Sequence, residues 1–345
     1  MSDARIPITL ITGFLGSGKT TLLGRLLAWP ELADTAVIVN ELGNVSLDHE
    51  LVETVTDEVT VLTSGCLCCA LRQDLASTLR DLYLRREAGK IPRFARVAVE
   101  TTGLADPAPV LQTLVSDPLI ASFFLLDAVA TTVDAVTGLA TLAAHPEAVK
   151  QAGVADRLLL TKRDLAPDTA ALEARLAALN PGAPRIDVRL GDLDPALLLN
   201  QARRPEAERL ADLDRWLDAA VERDHAHGRR DLGHHHRHHP DIAAHSLSLS
   251  EPVDWTGFAK WLGELAAQRG ADLLRVKGLV RVAGEARPLL VQGVQHVFHE
   301  PQWLEAWPAG SEPCTRLVCI GRGLEADRLQ AGLAACRATA LAESR

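Results

Sequence analysis

The feature that most constrains this chain is an apolar run at residues 6–12 that opens directly into Gly-Phe-Leu-Gly-Ser-Gly-Lys-Thr at 13–20. The run reads as a short buried strand, and residues 19–28 behind it read as a helix. Gly13, Gly16 and Gly18 free the backbone to curl so that successive N–H groups face one point. The octapeptide matches G-x-x-x-x-G-K-[ST] in full, in the strand-to-helix setting the motif requires. Such a loop cradles phosphate. The helix start near Lys19 adds the positive end of its dipole, Lys19 reaches the terminal phosphates, and the Thr20 hydroxyl is placed to ligate Mg²⁺. Ser17 and Thr21 complete the nucleotide-contacting positions of the loop.

The rest of the N-terminal part continues the alternation. Strands are expected at 36–40, 59–63, 96–100 and 157–160, with another beginning at 123–126. Helices are expected at 74–88, where Leu75, Leu79 and Leu82 share a face, and at 168–179. This predicts an α/β fold with a mostly parallel sheet and ligands bound at the carboxyl ends of its strands. A length of 345 residues implies two domains. Residues 224–240, DHAHGRRDLGHHHRHHP, are nearly devoid of apolar side chains and read as a linker. The expected divisions are 1–222, 223–245 and 246–345. The last part is expected to be a smaller α+β domain, with strands at 246–250, 273–282, 289–298 and 315–320 and helices at 255–268 and 325–338.

Two further motifs complete a nucleotide site. Val97-Ala98-Val99 is an apolar strand ending in Glu100, where a carboxylate can hold a Mg²⁺-bound water; Gly103, three residues on, can bring its N–H to a γ-phosphate. Residues 158–164 read Leu-Leu-Leu-Thr-Lys-Arg-Asp. Asp164 can accept two hydrogen bonds from the N1–H and N2–H₂ of guanine, a pair adenine does not offer, so the carboxylate would select GTP. The Lys162 stem can cover the base, and Thr161 stands where GTPases usually carry Asn. A net charge of −9 argues against a broad nucleic-acid-binding face. Neither a signal peptide nor an 18-residue apolar run is visible, so the expectation is a cytoplasmic protein that does not engage membranes.

Three of the six cysteines, Cys66, Cys68 and Cys69, fall within four positions. Tight clustering in an unexported chain points to metal or redox chemistry rather than a disulfide framework. In a strand-to-helix turn the three thiolates could converge on one soft or borderline ion, Zn²⁺, Cu⁺ or Co²⁺, and leave a position open, which suits a site that releases its metal. In the linker, His225, His227, His234, His235, His236, His238 and His239 form a flexible imidazole array, read as a loose metal reservoir; a solvated polar linker is the plain reading beside it. His49, His145 and His299 read as surface or packing residues.

Taken together these segments resemble the CobW-related P-loop GTPases. The resemblance rests on GFLGSGKTTLL at 13–23, NELGNVSLD at 40–48, SGCLCC at 64–69, ETTGLADP at 100–107 and TKRD at 161–164. In the C-terminal part it rests on WLGELA at 261–266, LLRVKG at 273–278 and QGVQH at 292–296. It implies a GTP- and Mg²⁺-dependent metallochaperone that hydrolyses GTP, binds Zn²⁺ or Co²⁺ at the C-x-C-C cysteines and passes it to a client apo-metalloprotein. It also implies that Glu41 lies in the switch segment near Mg²⁺ or the metal, while Val39 and Asn44 stand where relatives carry acidic residues. The catalytic set expected is Lys19, Thr20 and Glu100. Three other readings remain open on the residues alone: a P-loop small-molecule kinase, a thiol redox protein with a vestigial nucleotide site, and a non-catalytic metal store.

Overall fold

The structure is a computed structural model that describes residues 4–27, 29, 32–39, 52–56, 59–62, 67–70, 75–188, 194–227 and 242–338. The chain divides into two compact units. The first comprises Met1–Ala174 with Ala183–Arg204, and the second Arg175–Gly182 with Pro205–Arg345. No helix among the described residues is long and apolar enough to cross a membrane.

The first unit is built on a nine-stranded sheet. Its strands in chain order are β1 Ile6–Gly13, β2 Thr35–Val39, β3 Val52–Thr56, β4 Val59–Leu62, β5 Leu67–Ala70, β6 Arg96–Glu100, β7 Phe124–Asp134, β8 Arg157–Thr161 and β9 Arg185–Asp187. They lie in the order β3-β4-β5-β2-β6-β1-β7-β8-β9. From β5 to β9 every pairing is parallel; β4 is antiparallel to β5, and β3 to β4. All eight residues of β1 are buried, as expected of a central parallel strand covered on both faces.

The covering helices are α1 Lys19–Leu27, α2 Leu75–Glu87, α3 Ala108–Ser116, α4 Pro118–Phe123, α5 Gly138–Ala144 and α6 Pro146–Val154, with α7 Ala170–Leu179 crossing from the first unit into the second. Leu75, Leu79 and Leu82 are the buried stripe of α2, as their spacing predicts. Leu22, Leu23 and Leu26 of α1 pack with Ile11, Val37, Ala98 and Leu159 of the sheet. That apolar bed fixes the helix whose first turn carries Lys19 and Thr20.

The second unit holds α8 Glu206–His227, β10 Ile242–Leu249, α9 Trp255–Arg269, β11 Leu273–Val280, β12 Leu289–Val294, β13 Val297–Phe298, β14 Gln302–Trp303, β15 Thr315–Arg322 and α10 Ala326–Ala335. Its sheet has the order β10-β15-β11-β12-β13, with β14 on β12, and every pairing is antiparallel. Phe258 and Leu262 of α9 and Leu329 and Leu333 of α10 pack with Leu247, Val276 and Leu317 of the strands. Helix α8 is tied to the same sheet: Arg316 Nη1 donates to Asp214 at 2.6 Å, its other amino group pairs with Asp218, and Lys277 lies over the Trp216 ring.

One expectation is corrected here. The single strand expected at 289–298 is a hairpin, because Gln295 takes a left-handed conformation (φ 53°) that turns β12 back as β13. The division expected at residue 222 falls inside α8, and the second compact unit resumes at Pro205. The stripe Leu210, Leu213, Trp216, Leu217 and Ala220 is buried, which gives α8 a face to bury with its own unit.

Candidate nucleotide and metal site

Strand β1 ends where the glycine loop begins, at the carboxyl edge of the parallel sheet. Gly13 (φ 141°), Gly16 (φ 71°) and Gly18 (φ 89°) all take positive φ. At Gly13 a Cβ would also stand 2.2 Å from Thr132 Oγ1, so only glycine fits between the loop and the end of β7. Lys19 is buried and its Nζ donates to the carbonyls of Gly13 (2.9 Å) and Phe14 (3.1 Å), which folds the ammonium back into the loop's own concavity. Ser17 Oγ shares a hydrogen bond of 2.6 Å with Thr132 Oγ1. Thr21 lies on α1 one residue beyond Thr20 and is exposed.

The second motif meets the first directly. Thr20 Oγ1 donates to Glu100 Oε1 at 2.7 Å across 80 residues of sequence, and Glu100 is buried. A hydroxyl and a carboxylate at this separation, beside a phosphate cradle, form an all-oxygen donor pair of the kind Mg²⁺ takes, so the residues present fit that ion. Thr20 and Glu100 would hold Mg²⁺ there, and the ion would supply positive charge to offset that of the phosphates. Beyond Glu100 the chain stays on the loop. Thr101 Oγ1 donates to Thr12 Oγ1 at 2.8 Å, and Gly103 comes so close that a Cβ would lie 2.6 Å from Leu15 N.

The third motif closes over the other side. Thr161 Oγ1 donates to Ser17 O at 2.7 Å, and Lys162, itself left-handed (φ 54°), donates from Nζ to Gly16 O at 2.8 Å and to Asp134 Oδ2 at 2.6 Å. Asp164 follows on a short 3₁₀ turn, Arg163–Leu165, with its side chain exposed. Hence the loop glycines, Ser17, Lys19, Thr20, Glu100, Gly103, Thr161, Lys162 and Asp164 gather at the carboxyl ends of β1, β6 and β8.

The sequence reading missed Asp134 and Thr132. Asp134 ends β7 as Glu100 ends β6, and that signal, a carboxylate closing an apolar strand, was available at both positions. Burial works against its ionisation. The Lys162 ammonium and the N–H groups of Val136 and Thr137 outweigh that effect and hold its carboxyl below the usual value. His145, read as a packing residue, stacks on Phe14 of the loop with ring centroids 4.4 Å apart.

The metal-binding expectations are only partly within view. Glu41, Cys66, His234, His235, His236, His238 and His239 lie outside the described residues. The backbone of Cys68 and Cys69 is described, and it forms β5 rather than the expected turn, because its peptide groups pair with β2 on one side and β4 on the other. Ile38 of β2 faces Cys69 in one ladder and Val99 in the next. Two interstrand steps, about 10 Å, therefore separate Cys69 from the residue before Glu100. His225 and His227 fall in the last turn of α8. Cys314, Cys319 and Cys336 belong to the second unit. Burial pushes the Cys319 thiol up to about 12, which keeps it protonated and inert as a ligand.

A parallel sheet whose first strand opens into this glycine loop, with Thr20 against Glu100, defines a P-loop nucleotide-binding protein. The CobW/HypB/UreG nucleotide-binding domain model matches residues 7–187 and the cobalamin synthesis protein cobW C-terminal domain model matches 242–337, so the chain belongs to the CobW family. It is 34% identical over 332 residues to the zinc chaperone YjiA of Escherichia coli, covering 96% of this chain and 99% of that one. It is 33% identical over 380 residues to the zinc chaperone CobW of Pseudomonas aeruginosa, covering 98% and 92%. The crystal structure of Zn(II)-bound YjiA GTPase from E. coli superposes with a TM-score of 0.73 at 34% identity, covering 97% of this chain and 99% of that one.

Proposed function

We propose that this protein is a cytoplasmic, GTP-hydrolysing metallochaperone that binds zinc, with cobalt as the second choice, at Cys66, Cys68 and Cys69 and hands it to a client apo-metalloprotein. The observation that carries the reading is the 2.7 Å contact of Thr20 with Glu100, which joins the phosphate loop to the strand two interstrand steps from Cys69. The relatives named zinc chaperones support the choice of metal. In this reading Asp164 selects guanine, Lys19 and the loop N–H groups hold the phosphates, and Thr20 and Glu100 hold Mg²⁺ directly or through water. The γ-phosphate orders the segment that contains Glu41, and ordering there brings the three thiolates onto the metal. Hydrolysis loosens the grip. The histidines at 225–239 serve as a loose reservoir.

The test is zinc titration of the purified chain with a non-hydrolysable GTP analogue and with GDP. Affinity is expected to be higher with the analogue, in the range of about 5–150-fold that a typical coupling energy gives, and zinc must tighten the analogue by the same factor. Replacing Cys66, Cys68 and Cys69 together by Ser is expected to remove the difference, whereas deleting 225–239 is expected to leave it. Equal zinc affinity with both nucleotides would end the gating idea.

A further inference from the structure

The loop that follows Glu100 is gripped by one helix at two consecutive residues. Gln151 of α6 is buried, and its Nε2 donates to Gly103 O at 3.1 Å and to Ala105 O at 3.0 Å. Its own carbonyl accepts from Thr131 Oγ1 at 2.8 Å, which anchors this turn of α6 to β7. Lys150, the residue before it, pairs through Nζ with Asp106 Oδ2 at 2.8 Å, while Asp106 Oδ1 accepts from Ala108 N at the head of α3. Both bonds from Nε2 run to carbonyl oxygens, so they fix the amide's orientation: a flipped amide would set its oxygen against two acceptors. At the other end of α6, His145 stacks on Phe14. The helix thus holds the Gly103 segment, and its N-cap residue touches the phosphate loop that this segment faces.

We propose that Lys150 and Gln151 are positioning residues for GTP hydrolysis. They act through the chain segment they hold rather than on the nucleotide itself. They set the height of the Gly103–Asp106 segment over the phosphate loop, and so where the Gly103 N–H stands relative to the terminal phosphate. Gly103 already lies against Leu15 N too closely to admit a Cβ, so its range of movement is set by what holds it from behind. Position matters here because a donor aimed at developing charge works only when its placement is fixed in advance. The inference rests on the GTPase reading of the same site, and its test keeps the two separable.

Hydrolysis is measured as phosphate release, with GDP and GTP-analogue affinity followed by a fluorescent nucleotide and folding by thermal melting. Gln151→Leu keeps the bulk of the side chain and removes the donor. It is expected to lower kcat on the order of tenfold or more, since small misplacements at a reacting centre are costly, while nucleotide affinity changes less than about threefold. Lys150→Ala, at a half-exposed surface position, is expected to lower kcat in the same direction by less, and Lys150→Arg to restore it. Wild-type kcat in Gln151→Leu and Lys150→Ala would overturn the proposal. So would a parallel loss of nucleotide affinity and melting temperature in Lys150→Ala, which would make α6 a support for the fold alone. Lys19→Ala is run beside them: if the wild-type chain hydrolyses GTP no faster than Lys19→Ala does, the GTPase reading itself fails, whatever the α6 variants do.

Discussion

The two units bury apolar side chains in the same way and polar ones quite differently. In the second, the cluster around Phe258, Val276 and Leu317 is apolar throughout, and the buried polar residues of its strands and hairpin are few, such as Arg275, Gln295 and Thr315. In the first, Thr12, Ser17, Lys19, Glu100, Thr132 and Asp134 are all nearly inaccessible, and all stand at or beyond the carboxyl ends of adjacent strands. Buried polar groups cost free energy unless paired, and here they are paired with one another and with the glycine loop. One unit spends its interior on stability alone. The other holds a preorganised polar edge on an apolar bed, and that edge is where chemistry is expected.

The contrast breaks most readily by emptying the second core. Phe258 is fully buried, and Phe258→Ala is expected to destabilise the second unit by about 3–5 kcal/mol through lost transfer energy and the cavity left behind. Trp29 is the only tryptophan in the first unit and the other five lie in the second, so urea unfolding followed by tryptophan fluorescence reads this change mainly where it is made. A shift of less than about 1 kcal/mol would mean the cluster is not the unit's core. The matching lesion in the first unit acts on chemistry instead. Lys19→Ala is expected to cost about 10²–10³ in kcat for GTP, the scale seen when one preorganised charge-stabilising donor is lost, with little effect on urea unfolding.

The same contrast explains what could be read from the amino-acid sequence. The glycine loop, the strand ending in Glu100 and Thr161-Lys162-Arg163-Asp164 were legible because the chemistry leaves few residues able to serve, and each motif is local. Most core strands and α2 were legible from periodicity. Helices α5 and α6 were not, since runs such as Gly138–Ala144 are mostly small residues with no wide apolar stripe. Asp134 carried the same local mark as Glu100, a carboxylate closing a strand, and was overlooked, whereas Gln151 escaped because its partner Gly103 lies 48 residues away and only the fold brings them together. The hairpin at Gln295 escaped because a left-handed glutamine carries no compositional mark. Helix α8 shows the opposite failure: its stripe from Leu210 to Ala220 is plain in the sequence, and was passed over in favour of the histidines that follow it.

The polar edge can be sharpened further at Asp134. Asp134→Asn removes the ionic partner of Lys162 and is expected to cost about 1–2 kcal/mol, because the charge-assisted bond is only part-buried and solvent screens its exposed lysine end. The pH dependence has a definite sign. A carboxyl held below its unfolded value of 3.8 contributes stability that is fully present above that value and is lost as pH falls through the lower folded one. The wild type and Asp134→Asn should therefore differ most at neutral pH and converge as the medium is acidified below about pH 4. Urea titrations of both chains at several pH values check this, and a gap that widened towards acid would contradict it.

The smallest effect separates two kinds of glycine. Gly103, at the polar edge, has backbone at 2.6 Å from where a Cβ would sit, so any larger residue must displace the phosphate loop or its own segment. Gly263 lies inside α9 of the second unit with nothing within 4 Å of that position, and it takes no positive φ. Helix interiors prefer alanine to glycine because the unfolded chain then has less freedom to lose. Gly263→Ala should accordingly stabilise the second unit by about 0.4–1 kcal/mol in the tryptophan-monitored urea transition, leaving GTP turnover unchanged. If it destabilised instead, the surface of α9 at Gly263 would have to be covered by something that leaves no room for the added methyl, and the picture of a second unit held only by its interior would need revision.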